Sequence, residues 1–239
     1  MDRMRFPIEK KSEGLPVVVL ATPHGRYDLL EKKLRDSGIG EIVRIFQQDE
    51  LLIERLIDLR ARYVFFPHWS WKIPDHIFNQ IECILFHMTD LPYGRGGSPL
   101  QNLIVRGHQN TILSAIRCVS EMDAGPVYLK KPLKLMGTAE EILQNSSQLM
   151  LEMMIEIVKH PRDPTPQQGT IVSFKRRGPE KSNLKELNTL LSAYDTIRML
   201  DADGYPKAFL ETAALKFEFT QAFLNGDCVE AKVRIAQRV

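Results

Sequence analysis

His87 is the first residue whose surroundings could do chemistry. It follows the apolar run Cys83-Ile-Leu-Phe86 and opens the segment His87-Met-Thr-Asp-Leu-Pro-Tyr-Gly-Arg-Gly-Gly-Ser-Pro99. Standing alone, it reads as a structural histidine at a strand end. The residues after it weaken that reading. Gly94, Gly96 and Gly97 around Arg95 permit positive φ angles and close approach of the backbone to a ligand. Ser98 and Pro99 mark the start of a helix, whose N-terminus can receive an anion. The second segment of interest, Glu121-Met-Asp-Ala-Gly-Pro-Val127, is by itself most simply a turn. Together, His87 and Asp123 could form a histidine–carboxylate pair, in which the carboxylate fixes the imidazole tautomer and raises its basicity. Neither the GxGxxG nor the GxxxxGK[ST] nucleotide-binding pattern occurs.

Strands and helices must position these residues. Pro16-Val-Val-Val-Leu-Ala21 is a short apolar run rich in β-branched residues, which predicts a buried parallel strand ending in Thr22-Pro-His-Gly25. Residues 26–37 carry apolar positions at Leu29, Leu30 and Leu34 and stop at Gly38, predicting an amphipathic helix. A strand over 41–46, a helix over 49–60 and strands over 63–67 and 83–86 come next. A short helix is predicted over 98–106, and strands over 111–119 and 126–133. Thr138 and Glu141 form a capping-box pattern that opens a helix over 138–159, with Ile142, Leu149, Met153 and Ile157 on one face. A strand over 170–174, a helix over about 183–200 and strands over 215–223 and 228–235 complete the reading. Asn225-Gly226 signals a hairpin between the last two. Strands alternating with helices predict an α/β fold with a mostly parallel sheet, whose ligands bind beyond the carboxyl ends of the strands. His160-Pro-Arg-Asp-Pro-Thr-Pro-Gln-Gln-Gly169 reads as a boundary loop. It divides the chain into a catalytic domain, 1–165, and a small α+β C-terminal appendage, 166–239.

Composition narrows the function classes. The chain has 239 residues, 44% hydrophobic and 26% charged, as in ordinary globular proteins. Thirty-two basic against thirty acidic side chains leave a formal charge of +2, too balanced for nucleic acid as the main partner. Cys83, Cys118 and Cys228 form no CxxC or CxxH spacing, so neither a disulfide framework nor a metal site is expected. Met1 to Lys11 is polar and basic without an apolar run behind it, so no signal peptide is expected, and no stretch suits a membrane span. A cytoplasmic location is expected. The apolar C-terminal hairpin offers a homodimer surface or a face packed on its own domain.

Two motifs carry a resemblance. His87-Met-Thr-Asp-Leu-Pro-Tyr-Gly-Arg-Gly96 resembles the His-Pro-Ser-Leu-Leu-Pro-x-x-x-Gly segment of folate-dependent formyltransferases, the group that includes methionyl-tRNA and glycinamide ribonucleotide formyltransferases. Asp123-Ala-Gly-Pro-Val127 is similar to the Asp-Gly-Gly-Pro-Val segment of the latter, at a comparable distance downstream. Tyr194-Asp-Thr-Ile-Arg-Met-Leu-Asp201 and Gly204-Tyr-Pro-Lys-Ala-Phe209 look like the segment after the catalytic core in tRNA and sugar members. The resemblance runs from about Val17 to Phe209. It implies a Rossmann-like formyltransferase fold, 10-formyltetrahydrofolate as donor and no metal. It also implies catalytic roles for His87 and Asp123. An amine would attack the formyl carbon, His87 would stabilise the oxyanion and relay protons, and Asp123 would orient the ring.

The sequence departs from the family at one position. An asparagine normally stands two residues before the histidine, and here that position is Leu85. Loss of one such donor lowers the rate on the order of 10²–10³-fold, so an active enzyme needs a replacement. His68, at the end of the neighbouring strand, is the first candidate and Asn102 the second. His68-Trp-Ser-Trp71 is unusual, and Trp69 and Trp71 are read as walls of the folate or acceptor pocket, against the alternative of loop anchors.

The acceptor follows from the same resemblance. The 88–104 segment and Tyr205-Pro-Lys-Ala-Phe209 look closest to sugar-nucleotide N-formyltransferases, such as the one of pseudaminic-acid biosynthesis, implying a 4-amino-4,6-dideoxy sugar carried on UDP. Arg95 with the Gly96-Gly97-Ser98 backbone is expected to hold a diphosphate. Tyr205 and Phe209 offer faces for a base, and Arg198 or Lys207 adds positive charge. Glycinamide ribonucleotide formylation and a non-catalytic folate- or nucleotide-binding protein are the alternatives, the second motivated by Leu85.

Overall fold

The computed structural model describes residues 14–238. The basic stretch Met1 to Lys11, where no signal peptide is expected, lies outside the described residues.

In chain order, β1 (Val17–Ala21) leads through a 3₁₀ turn to α1 (Asp28–Asp36), β2 (Glu41–Ile45), α2 (Ile53–Asp58), β3 (Ala61–Phe66), α3 (Asp75–Phe78) and β4 (Glu82–His87). Next come β5 (Tyr93–Gly96), α4 (Pro99–Ile104), β6 (Asn110–Arg117), β7 (Val127–Lys134) and the long α5 (Ala139–Lys159). β8 (Val172–Phe174), α6 (Leu190–Arg198), β9 (Ala208–Glu211), β10 (Leu215–Asn225) and β11 (Cys228–Gln237) complete the chain. The central sheet has the order β2-β1-β3-β4-β6-β7. Its first four strands are parallel, while β6 runs antiparallel to both β4 and β7. The mostly parallel sheet, its flanking helices and the C-terminal antiparallel appendage match the fold expected from the sequence.

Alternation along the strands builds a core on each face of the sheet. Leu20, Phe65 and Ile84 pack with Leu34 of α1 and with Ile142 and Met153 of α5. On the other face, Val19, Val64 and Cys83 pack with Leu56 of α2 and Ile77 of α3. Each fully buried large side chain contributes roughly 1.5–3 kcal/mol, so both layers hold the strand ends in register. α5 begins as its capping box requires. Thr138 Oγ1 accepts from the Glu141 N–H at 3.2 Å, and the Glu141 carboxylate accepts from the Thr138 N–H at 2.7 Å. Among the described residues, no helix is long and apolar enough to cross a membrane.

Several local expectations are corrected. The helix expected over 49–60 is confined to Ile53–Asp58, because Gln47 caps a separate 3₁₀ turn ending at Glu50. The helix expected over 183–200 shrinks to Leu190–Arg198. Residues 183–184 are drawn into backbone pairing with Phe209, and Thr189 forms a new cap with Ser192. β5, α3 and β9 have no counterpart in the sequence reading. The C-terminal hairpin turns on Gly226 and Asp227, since Asn225 already pairs with Cys228. Past the expected boundary at residue 165 the chain keeps pairing with the first body, β8 lying parallel to β5.

Candidate active site

His87 is the last residue of β4, placed there by the β4–β6 pairing that sets it opposite Ser114. The chain then folds back on itself. Ser114 Oγ donates to the Thr89 carbonyl at 2.8 Å, the Leu91–Pro92 peptide is cis, and the Gly94 carbonyl returns to within 2.8 Å of His87 Nε2. Gly94 has φ +79°, and a Cβ there would press on Thr89 and Phe174, so the return requires glycine.

Asp123 approaches from the loop between β6 and β7. It takes φ +53°, a conformation aspartate tolerates better than most residues. Its Oδ2 accepts the Gly96 N–H at 2.8 Å and lies 3.6 Å from His87 Nδ1. Side-chain exposure is 9% for His87 and 15% for Asp123, so little solvent screens the pair. The Asp123 loop lies tight against the sheet at Gly125, where a Cβ would collide with the Arg117 carbonyl oxygen.

Gln167, in the stretch that the sequence marks as a boundary loop, ties these pieces together. Its Nε2 donates to the carbonyls of Asp123 and Gly125 at 2.7 and 2.8 Å, and its Oε1 accepts from Arg95 Nε and Nη2 at 3.0 and 2.9 Å. Pattern in a proline-rich stretch gave no signal for this, since the contact joins residues far apart in sequence.

His68 leaves β3 on the same rim. Phe66 pairs with Leu85, so His68 and His87 each lie two residues beyond a matched pair on adjacent parallel strands, which run about 4.8 Å apart. His68 has φ +56° and packs against His24 with ring centroids 4.7 Å apart, and against Tyr205 at 6.2 Å. Burial, then the neighbouring His24 and the Arg26 charge, push its pKa down to about 4. The imidazole is therefore neutral near pH 7 and carries one N–H. His24, for which the sequence offered no argument beyond packing or exposure, thus belongs to the rim.

The expected phosphate cradle is engaged elsewhere. Gly96 N–H is bound to Asp123, Gly97 N–H donates to the Phe174 carbonyl, and Ser98 Oγ accepts the Arg177 N–H. Arg95 is bound to Gln167 and to Glu121 at 3.0 Å. α4 has six residues and no side-chain cap. These contacts tie together the loops around His87 and Asp123, and they occupy the Gly96 and Gly97 N–H groups expected to face a diphosphate. Asn102 likewise gives its amide to the carbonyls of Gly97, Ser98 and Lys175 and accepts from Arg106, so it is a loop tie and cannot replace the missing asparagine. Arg198 is buried, bound to Asp195 and to the carbonyls of Leu135 and Gly137, which fastens α6 to the turn between β7 and α5. Phe209 lies in β9 with Lys216 over its ring at 5.1 Å. Lys207 donates to the Ala202 carbonyl and pairs with Asp201. Of the residues expected to bind acceptor, Tyr205 is the one in ring contact with the rim.

Trp69 packs edge-on against Phe66 at 5.6 Å and Trp71 at 4.8 Å. Its Nε1–H is buried without a protein partner. Trp71 lines an open cavity of about 650 Å³ with Gln47, Leu51, Ile53, Pro74 and His76. Among the described residues, no group of three or more His, Cys, Asp or Glu is arranged to hold a metal ion.

The chain is similar to proteins already known. Residues 179–236 match the family model for the C-terminal domain of methionyl-tRNA formyltransferase. A methionyl-tRNA formyltransferase from Lactobacillus delbrueckii subsp. bulgaricus is 28% identical over 205 residues, covering 80% of this chain and 62% of the relative, so the chain spans less than two thirds of that protein. The solved methionyl-tRNA formyltransferase from Clostridium thermocellum superposes with a TM-score of 0.91 at 38% identity, covering 94% of this chain and all of the other. Two more distant structures share the fold. HypX from Aquifex aeolicus in complex with tetrahydrofolic acid has a TM-score of 0.71 at 15% identity, over 86% of this chain and 37% of HypX. A sugar N-formyltransferase from Shewanella sp. FDAARGOS_354 has a TM-score of 0.63 at 15% identity, over 83% and 93%. On the strength of the match to the Clostridium thermocellum protein, the chain belongs to the formyltransferase family typified by methionyl-tRNA formyltransferase.

Proposed function

We propose that the chain is an N-formyltransferase that moves a formyl group from 10-formyltetrahydrofolate to the amine of a nucleotide-linked amino sugar. A UDP-4-amino-4,6-dideoxy sugar, of the kind used in pseudaminic-acid-type or surface-glycan biosynthesis, is the acceptor we favour. The single observation that carries the reading is the meeting of His87 and Asp123 at 3.6 Å on the carboxyl rim of the sheet.

The residues present fit a folate donor. Trp69 and Trp71 would wall the pterin, and the unpartnered Trp69 Nε1–H is a donor suited to a heterocycle acceptor. When bound, 10-formyltetrahydrofolate supplies an electrophilic formyl carbon. The protein's part is proton handling and charge stabilisation. The Gly94 carbonyl accepts from Nε2, so neutral His87 keeps its Nδ1 lone pair toward Asp123. A proton released by the attacking amine would be taken up there and passed to the donor nitrogen as its bond to the formyl carbon breaks. The resulting imidazolium donates to Gly94 on one side and faces the Asp123 carboxylate on the other. His68, held neutral, donates its N–H to the formyl oxygen as negative charge builds, in place of the asparagine that Leu85 replaces.

A second reading has a specific support, since the relatives at 28% and 38% identity are named for methionyl-tRNA. A methionyl amine is then the acceptor. Turnover assays with formyl-folate and either the UDP-amino sugar or methionyl-tRNA separate the two. Folate binding with no turnover on either acceptor would instead mean a protein that lost catalysis with its asparagine.

A further inference from the structure

Among the described residues, the buried side-chain polar atoms without a protein partner are Thr22 Oγ1, His24 Nε2, Arg26 Nε, Tyr27 OH, His68 Nδ1 and Trp69 Nε1. All come from the two short segments that leave β1 and β3 at the catalytic rim. Folded proteins leave few such atoms, and a cluster of them beside a reactive pair marks a place kept for something other than stability. We infer that the Thr22–Tyr27 turn and His68, roofed by Tyr205, form a pocket that selects an uncharged, hydroxyl-bearing ring as the acceptor. This rests on the formyl-transfer reading and names the chemical class of its acceptor.

Three features set that class. Hydroxyls and neutral imidazoles both give and accept hydrogen bonds, so their natural complement is a set of hydroxyls. The faces of His68 and Tyr205 offer flat surfaces for a ring. The nearby cations are already neutralised, Arg26 by Glu140 at 2.6 Å and Arg44 by Glu31 at 2.9 Å, so no spare positive charge draws a phosphate here. A thioether chain would leave every one of these polar atoms unpaired. Thr22 and Tyr27 are wholly buried. The Asp203 turn that precedes Tyr205 is fastened by Arg26 to its carbonyl and by Glu140 to its N–H. Entry of the ring therefore displaces that turn.

The test uses Thr22→Val and Tyr27→Phe, which remove one hydroxyl each and keep the shape. Because each hydroxyl is unpartnered in the free protein, both variants are expected to hold or raise the melting temperature. Each should lower kcat/KM for a UDP-4-amino-4,6-dideoxyhexose about three- to tenfold, and leave the Kd of 5-formyltetrahydrofolate unchanged. A purely structural role for these hydroxyls would instead lower stability. Unchanged acceptor kinetics in both variants overturn the inference. So does wild-type turnover of methionyl-tRNA with none of the sugar, an outcome that leaves formyl transfer standing. A chain that binds no folate removes the donor reading. The pocket is then decided by histidine-labelled NMR, in which methyl 4-amino-4,6-dideoxyglucoside should shift the His24 and His68 ring nitrogens in wild type and less in Thr22→Val. Absence of shifts in wild type overturns the pocket.

Discussion

His87 Nε2 lies 2.8 Å from the Gly94 carbonyl oxygen, which can only accept, so the neutral ring carries its proton there and turns Nδ1 toward Asp123. The 3.6 Å separation on that side exceeds hydrogen-bond length. Gain of a proton at Nδ1 would convert two facing lone-pair groups into a charge pair, and sites of this kind often tighten only when substrate is bound.

If formyl transfer runs through this pair, both partners are required. His87→Ala and Asp123→Asn are each expected to lower kcat on the order of 10²–10⁴-fold with the fold intact. Asparagine also accepts the positive φ of position 123 and keeps an oxygen for the Gly96 N–H. Single-turnover formylation alongside circular dichroism checks this. Near-wild-type rates in both variants would sink the assignment.

Gln167 holds the Asp123 loop through the Asp123 and Gly125 carbonyls and would act as a positioning residue for that carboxylate. Gln167→Leu keeps the volume but frees the Asp123 and Gly125 carbonyls and releases Arg95. The expected result is a loss in kcat of about tenfold or more with a smaller change in KM, as a displaced carboxylate should give. Gln167→Glu restores the acceptor for Arg95 but not the donors for the two carbonyls, and should recover little. Recovery equal to wild type would show that the Arg95 contact alone matters.

Much of this site was legible in the sequence. The apolar runs fixed the parallel strands, and a histidine or acidic residue at a strand end is placed by the same pattern that places the strand, as for His87 and His68. The local cap of Thr138 was readable for the same reason. Asp123-Ala-Gly-Pro read as a turn whether or not it met His87, because the meeting depends on β6 returning beside β4. Arg95, Asn102 and Arg198 looked like ligand-binding groups by residue type, yet their partners are backbone carbonyls and side chains distant in the chain. Type and spacing do not reveal which polar group the fold has already satisfied. His24 and Gln167 were passed over for the converse reason.

His68 separates replacement of a catalytic donor from mere packing. His68→Ala removes the N–H proposed for the formyl oxygen and is expected to lower kcat on the order of 10²–10³-fold with modest loss of folate affinity. His68→Asn supplies an amide N–H and tolerates the positive φ of the position, so it should recover a substantial part of that loss. Stopped-flow binding and steady-state kinetics read the two effects apart. An unchanged rate in the alanine variant would leave Leu85 without a stand-in.

The same imidazole should govern acid stability. Burial first, then His24 and Arg26, lower the folded-state pKa of His68 from 6.5 to about 4. Between those values the unfolded chain binds a proton that the folded chain refuses, so stability rises with pH across the window and falls on acidification. Above pH 6.5 both states are neutral and the site has no effect. Near pH 4 it should lower stability by about 2–3 kcal/mol, with His24, also shifted down by burial, acting in the same direction. His68→Asn removes this titration. Urea unfolding at about pH 7.5 and about pH 4.5 should therefore show a smaller acid loss in the variant than in wild type. Equal losses would mean that His68 is not held neutral by its surroundings, which would also weaken its role as a fixed N–H donor.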